Sequence, residues 1–542
     1  MNADVVIVGS GAGGSAAAWA LTQRGINCTI LEAGPHYDFA TDYKLDQSNW
    51  EQHGFPEKIP TAGRQVFAPM QKLSKRWDHL RSWNHIRGPS NVTGVRTARG
   101  GYKHVVGVGG TTLYFTGEYH RMNRRSMRMR SDFGVAADWP LTYEELEPYY
   151  TQAERLVGTS GGGADHRRPR SDGYPLPPLP MSYATRQLQK GHEALGLTFE
   201  SNPLAVLSKP FDGRPSCNFC GNCNRGCPHG DKGSADITFL WHANATGRCR
   251  ILTDATVINL EKDSGGRIRR AVYARQDGTI DAISAEAFIL AAGAIETPRL
   301  LLNSDVATGS GHVGKHFMES LVWTSVGIHP DQIGSHRGHP SDGICWDFND
   351  PDALDSIVGG FRLSPGTAEA NLVGPINYAA RIVGGWGAEH KERMRDLFGR
   401  ALALTAFGES LPNDKSFIDL DPDHQDAFGL PKARIHSFLP DHELERLTAM
   451  RATVRKVLAA SQVSDPVEEF GTYDDFDSTH VFGTCRMGQD PATAVVDPNG
   501  RCHGSANLFV CDASVFPSSG GGESPSLTIA ALAVRTVDKA WA

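Results

Sequence analysis

Asp4-Val-Val-Ile-Val-Gly9-Ser-Gly11-Ala12-Gly-Gly14, then Ser-Ala-Ala-Ala-Trp-Ala-Leu and, a few residues on, Cys28-Thr-Ile-Leu-Glu32, is the stretch that decides the fold. The short β-branched run reads as a buried parallel strand, and the alanine-rich run after the glycines reads as a helix. Between them lies a G-x-G-x-x-G loop. Gly9 permits the tight turn, Gly11 lets the backbone approach a pyrophosphate, and Gly14 lets helix and strand pack closely. The helix N-terminus offers free N–H groups to phosphate oxygens. Glu32 ends the second strand eighteen residues after Gly14, placed to accept hydrogen bonds from an adenosine ribose diol. Strand, loop, helix, strand and acid in register predict a Rossmann-like dinucleotide-binding unit, with Ala12 and Ala33 against the ligand.

Length and composition set the outer bounds. The chain has 542 residues and a formal charge of -7, which predicts more than one domain and argues against a nucleic-acid surface. Arg121 to Arg130 carries five arginines, read as a solvated face. No apolar run approaches the about 20 residues of a membrane span. The first strand begins within a few residues of Met1, leaving no room for a signal peptide; the expectation is a cytoplasmic protein, with export on a partner's signal left open.

The later sequence favours FAD over NAD. The first unit is not continued by successive βαβ units; a long polar stretch from about 36 to 98 follows, then a second glycine cluster at Gly107-Val-Gly109-Gly110-Thr111-Thr112. Ala287-Phe-Ile-Leu-Ala-Ala292-Gly293-Ala-Ile-Glu-Thr-Pro298 reads as strand, tight turn and helix, and Asn507-Leu-Phe-Val-Cys-Asp512-Ala513 as one more strand ending in an acid. A cofactor domain assembled from the start, middle and end of the chain suits a large flavin held in extended form.

With these pieces in order, the chain resembles the glucose–methanol–choline (GMC) oxidoreductases over nearly its whole length. The resemblance also rests on Asp138-Trp-Pro-Leu-Thr-Tyr-Glu-Glu-Leu-Glu-Pro-Tyr-Tyr150, Thr479-His480-Val-Phe-Gly-Thr-Cys-Arg-Met-Gly488, Val496-Asp-Pro and Pro525-Ser526-Leu-Thr-Ile-Ala-Ala-Leu-Ala533. It implies a mixed α/β fold: a Rossmann-like FAD domain from 1–150, 210–320 and 480–542, and a substrate domain on an antiparallel sheet from 151–209 and 321–479. It implies FAD contacts at Gly109, Gly110, Thr111, Tyr114, Val257, Ala292, Gly293, Asp512, Ala513, Pro525 and Ser526. Some relatives tether flavin to a histidine after the Gly-Gly pair; Tyr114 stands there, and His104 and His120 fall at other spacings, so dissociable FAD is expected.

Oxidising an alcohol requires removal of the hydroxyl proton while the carbon delivers hydride to flavin N5, and an imidazole suits the proton step. The resemblance places His480 as that base. The family's usual Asn or His before the last helix is absent: Phe516-Pro-Ser-Ser-Gly-Gly-Gly-Glu523-Ser524-Pro525 carries one inserted residue, with Glu523 or Ser524 in its place. Ser524 can hydrogen-bond the substrate hydroxyl. Glu523 beside flavin would take the proton or anchor a cation; the alternative is a shifted loop with Glu523 turned away. Glu468, Glu469, Asp474, Asp475 and Asp477 precede the histidine, and at the mouth they would favour cationic or polyhydroxylated substrates.

Four of ten cysteines lie in Cys217-x2-Cys220-x2-Cys223-x3-Cys227-Pro228, the spacing of a bacterial ferredoxin loop. An iron–sulfur cluster, packed thiols or disulfides, and zinc are the three readings. The other six cysteines read as mostly reduced core residues. The leading function is FAD-dependent oxidation of a sugar, polyol or amino sugar, with oxygen or a cytochrome-like partner as acceptor; a long-chain alcohol oxidase, a lyase that keeps FAD structurally and an electron-transfer subunit are the alternatives.

Overall fold

The computed structural model describes residues 2–45, 47–52, 63–102, 104–163 and 165–542. Val5, Val6, Ile7 and Val8 are buried on the strand Asn2–Val8, and that strand pairs in parallel with Cys28–Leu31 on one side and Ile280–Leu290 on the other. Cys249–Leu252 extends the sheet in parallel beyond Cys28–Leu31. The strand Ile280–Leu290 is long enough to serve two sets of partners. Its first half pairs antiparallel with Ile268–Arg275, and its last residues pair in parallel with Leu508–Val510. The result is a seven-stranded sheet drawn from the beginning, middle and end of the chain.

Helix Ala12–Gln23 lies against this sheet and packs on Ser526–Ala540 and Phe239–Ala245. Two glycines make that closeness possible. A Cβ on Gly13 would stand 1.6 Å from Cys511 O, and one on Gly14 would stand 2.0 Å from Gly9 O. Gly9 itself has φ +95°, a conformation that favours glycine.

The second layer is a six-stranded antiparallel sheet ordered Phe361–Pro365, Ala401–Gly408, Leu321–Ile328, Pro466–Gly471, Trp83–Asn84 and Gly88–Pro89. Its strands alternate as a half-covered sheet must. Leu321 and Trp323 pack with Leu447, Val454 and Leu458 of helix Asp441–Ala460, while Val322, Phe407 and Phe470 face the cleft between the layers. Short pairings of Met318–Glu319 with Val481–Phe482 and of Thr97–Tyr102 with Asp475–Ser478 tie the layers together.

The expected domain boundaries shift in two places. Trp83–Pro89 belongs to the substrate-side sheet rather than to the cofactor segment 1–150. Helix Tyr143–Val157 packs on Ser526–Ala540, so the cofactor layer runs past 150, whereas Tyr183–Ala194 packs on Asp441–Ala460. The arginine run is also not uniformly solvated. Arg121 is buried and pairs with Glu147 and Glu154, while half-buried Arg125 and exposed Arg128 pair with Asp352 and Asp132. Among the described residues no helix is long and apolar enough to cross a membrane.

Candidate active site

The two layers enclose a cleft of about 750 Å³. Its long wall is built from the loops at the ends of the Rossmann strands. Gly9, Gly11, Ala12, Glu32 and Ala33 line it from the first unit; Gly110, Thr111 and Tyr114 line it from the second glycine cluster. Val257, Ala292, Gly293, Asp512 and Ala513 come from the sheet's other strands, and Pro525 and Ser526 from the start of the last helix. Two residues act from behind. Gly14 packs against Gly9 O, and Gly109, at φ +104°, donates its N–H to Ser10 Oγ at 3.1 Å and does not reach the cleft.

Three helices point their N-termini at this cleft. Ala12–Gln23, Gly293–Asn303 and Ser526–Ala540 start at Gly11, Ala292 and Pro525, and none of these positions has a side-chain cap. The Gly293 N–H is taken by Asp512 Oδ2; the remaining first-turn N–H groups carry partial positive charge and suit anionic or carbonyl oxygens. Gly11 and Gly110 bring backbone to backbone: a Cβ on Gly110 would lie 2.8 Å from Gly11 Cα. Glu32 accepts from Ser10 N at 3.0 Å, Ser10 Oγ at 2.6 Å and Gly34 N at 3.0 Å. Burial pushes its carboxyl up, against those hydrogen bonds. Asp512 is likewise pushed up by burial while Gly293 N and Thr297 Oγ1 donate to its Oδ2 at 2.9 and 2.6 Å. Buried His104 Nδ1 and Glu296 Oε1 have no hydrogen-bond partner among the described residues, and both residues line the cleft. Cradle, helix ends and orphaned polar atoms fit a large, elongated, anionic ligand.

His480 and Ser524 line the same cleft. Val481–Phe482 anchors His480 beside Met318–Glu319, and its backbone carbonyl accepts Ser320 N at 3.0 Å. Among the described residues its imidazole has no hydrogen-bond partner. Burial lowers its pKa to about 4, with Glu118 raising it and Arg362 lowering it; the ring is neutral near pH 7 and able to accept a proton. Ser524 Oγ donates to Glu118 Oε2 at 2.8 Å, and its N–H donates to His120 Nδ1 at 3.1 Å.

Glu523 is elsewhere. It is 2 % exposed, pairs with Arg168, and accepts Asn123 N at 3.1 Å and Asn349 Nδ2 at 3.0 Å. The expectation that it faces the flavin is corrected: positive φ at Gly520 (76°) and Gly522 (96°) turns the loop so that Glu523 points into a buried arginine network. Glu468, Glu469, Asp474 and Asp475 do line the cleft. Glu468 pairs with Arg87 and Arg381, and Glu469 with Arg451 and Arg455. The Asp477 side chain lies outside the described residues.

The cysteine loop does not form a metal cage. Among the described residues no group of three or more His, Cys, Asp or Glu side chains could hold a metal ion. Left-handed turns at Phe219, Gly221 and Gly226 shape the loop, and burial raises all four thiols, Cys227 to about 11. Cys227 Sγ donates to Asp231 Oδ1 at 3.2 Å. Lys232 Nζ ties the loop to the cleft wall through Cys223 O, Leu113 O and Phe115 O at 2.6, 2.9 and 3.0 Å. Cys217, Cys220, Cys223 and Cys227 are all free thiols, as are the other six cysteines.

The family models named GMC oxidoreductase match residues 107–322 and 412–533, and one for an NAD(P)-binding Rossmann-like domain matches 7–54. The chain belongs to the GMC oxidoreductase family. GMC relatives align end to end. A 2-methyl-1,2-propanediol dehydrogenase of Mycolicibacterium austroafricanum is 27 % identical over 99 % of this chain and 94 % of its own. The fructose dehydrogenase large subunit of Gluconobacter japonicus is 28 % identical over 99 % and 97 %, and a 6'''-hydroxyparomomycin C oxidase of Streptomyces lividus 28 % over 98 % and 90 %. The fold is also that of a pyridoxine 4-oxidase from Mesorbium loti, with a TM-score of 0.62 at 18 % identity over 99 % of both chains. As a GMC enzyme the chain is an FAD-dependent oxidoreductase acting on alcohol- or sugar-type CH–OH groups.

Sequence reasoning missed Glu118, Arg362, Tyr102 and Glu296. Glu118 and Arg362 lie 244 residues apart, and no local spacing marks either. His104 and His120 were legible only as residues at the wrong spacing for a flavin tether; His104 lines the cleft, and His120 holds Ser524 from behind.

Proposed function

We propose that this GMC oxidoreductase converts a CH–OH group of a sugar, polyol or amino sugar to the carbonyl, with His480 as the base that takes the hydroxyl proton. The observation that carries the reading is a neutral, unbonded imidazole lining the same cleft as the adenosine-type acid Glu32. Bound FAD supplies a two-electron hydride acceptor. Glu32 would hold the adenosine ribose, the N-terminus of Ala12–Gln23 the pyrophosphate, Gly293 and Asp512 the ribityl region, and Pro525 and Ser526 the ring end. Tyr114 in place of the tethering histidine leaves the cofactor non-covalent.

The substrate side of the cleft is polar, with Ser82, Asn91, Thr472 and Asp474 among its residues, which supports a polyhydroxylated ligand. The Asp474 carboxylate accepts Ser82 N and Oγ, at 2.9 and 2.6 Å, and that of Asp475 accepts Thr97 Oγ1 and Arg99 N, both at 2.9 Å. Neither is ion-paired among the described residues, which supports a cationic group on the substrate and agrees with the aminoglycoside named for one relative. Another relative is named as a large subunit, which supports a partner protein as electron acceptor. Anaerobic addition of a polyol, a sugar and an amino sugar in turn should bleach the flavin's visible band with at least one of them. Carbonyl product without bleaching would indicate a lyase, and no response to any of the three would remove the alcohol-oxidising reading.

A further inference from the structure

A buried carboxylate stands behind the residues at the reacting end of the cleft. Glu118 is 5 % exposed and sits on the cleft wall, eight residues beyond Gly110. Its Oε1 accepts Asn202 Nδ2 and Arg362 Nη1, both at 3.1 Å. Its Oε2 accepts Ser524 Oγ at 2.8 Å and the second Arg362 nitrogen. Burial would raise this carboxyl, but the Arg362 guanidinium, with His120, the Ser524 hydrogen bond and His480, holds it down at about 2.

Being ionised, Glu118 can only accept hydrogen bonds. The single hydroxyl hydrogen of Ser524 is therefore committed to it, and the oxygen's lone pairs remain for a ligand. Ser524 is fixed at its backbone too: its N–H goes to His120 Nδ1, and His120 Nε2 faces Asn202 Oδ1 at 2.7 Å. Glu118 and His480 line the same cleft, and Arg362, the partner of Glu118, lies over the Phe407 ring at 4.3 Å, whose centroid is 6.1 Å from that of His480. Glu118 and Arg362 are the ionisable groups that act on that imidazole, and the carboxylate acts more strongly than the guanidinium. Asp474 and Asp475 line the same cleft but are held by Ser82 and Thr97.

We infer that Glu118 is the positioning residue of the alcohol site, holding Ser524 Oγ as a hydrogen-bond acceptor and providing the counter-charge for the imidazolium that His480 becomes. The inference rests on His480 being the base. In that step the substrate O–H bond breaks and its proton moves to the imidazole; the C–H bond breaks with its electron pair leaving as hydride to the FAD of the proposed reaction, and the C=O bond forms. The competing role for Glu118 is neutralisation of buried Arg362 alone.

Two variants of the holoenzyme separate these roles. E118Q removes the counter-charge, and E118Q/R362Q removes both charges, so it leaves no unpaired buried cation if the single variant folds poorly. His480 titration is followed by NMR of histidine-labelled protein, assigned with H480Q, and anaerobic flavin reduction is followed against pH. In E118Q the His480 titration and the acid limb of the rate profile should both move down by about one unit or more, and the plateau rate should fall about tenfold or more. The double variant should stay slow and E118D should recover part of the rate. An unmoved His480 titration in E118Q, or wild-type rates in the double variant, would overturn the inference. An H480Q variant with wild-type reduction would instead remove the base reading itself, and the NMR shift would still report whether Glu118 controls the imidazole.

Discussion

Arg168 and Glu523 form a buried ion pair that ties the loop before the last helix to the segment around Asn349. Asn123 N and Asn349 Nδ2 also donate to Glu523 Oε1, while buried Oε2 has no partner among the described residues, and Arg168 stacks over Trp346 at 3.8 Å. The pairing of Glu523 therefore fixes the position of its neighbour, Ser524.

Glu523→Gln should act on stability before it acts on chemistry. Removing one partner of a buried pair leaves Arg168 with Asp165 as its remaining counter-charge, so the cost stays below the about 3–5 kcal/mol of a fully broken pair. Thermal denaturation should show a clearly lower midpoint, while the KM for amino sugars relative to neutral polyols stays unchanged. A selective loss of amino-sugar affinity with no loss of stability would return Glu523 to the substrate site.

Ser524→Ala tests what the serine oxygen offers. With its hydrogen given to Glu118, Ser524 accepts a donor next to the reacting hydroxyl, which a vicinal diol brings and a simple alcohol does not. One lost hydrogen bond is worth about 1 kcal/mol, so KM for propane-1,2-diol should rise roughly fivefold while that for propan-1-ol stays constant. Equal effects on both alcohols would contradict an acceptor role.

The cofactor should leave the protein on acid or heat denaturation, because Tyr114 offers no imidazole for a flavin bond. Flavin retained on the denatured chain would contradict this, and His104 would become the first residue to test. Glu32→Ala should weaken FAD binding by about 1.5–3 kcal/mol, the worth of a hydrogen bond to a charged group, measured by titrating FAD into apoprotein.

Glu409 and Glu443 give a pH dependence of the opposite sense to an ordinary ion-paired acid. Burial raises each to about 7, partly offset by Arg446, and both Glu409 oxygens lack partners among the described residues. A folded pKa above the unfolded value of about 4.5 means the contribution is fully present below pH 4.5 and lost as pH rises through 7. At pH 8 each ionised acid costs about 3 kcal/mol relative to pH 4. Glu409→Gln should therefore raise the melting midpoint at pH 8 and leave it nearly unchanged at pH 5. A uniform shift at both pH values would assign the effect to packing.

Much of the cofactor side was legible because its signals are local. Gly9 to Glu32 is one contiguous strand–turn–helix–strand, and the backbone demands at Gly9 and Gly14 are visible in residue type alone. The reacting end was legible only in part. His480 and Ser524 sit in recognisable stretches, but the Glu118–Arg362 pair that supports them joins segments with no shared spacing. Glu523 was misplaced because Gly520 and Gly522 permit backbone turns that residue type does not specify. The cysteine loop was legible only as a choice among three readings, because ferredoxin-like spacing does not specify backbone turns such as the left-handed one at Phe219.

The most direct test is anaerobic stopped-flow reduction of the bound flavin by a reducing polyol, comparing wild type with His480→Ala. The account predicts that the variant binds FAD normally and is reduced about 10²–10⁴-fold more slowly, the usual contribution of a positioned base. Reduction at the wild-type rate in His480→Ala would contradict it.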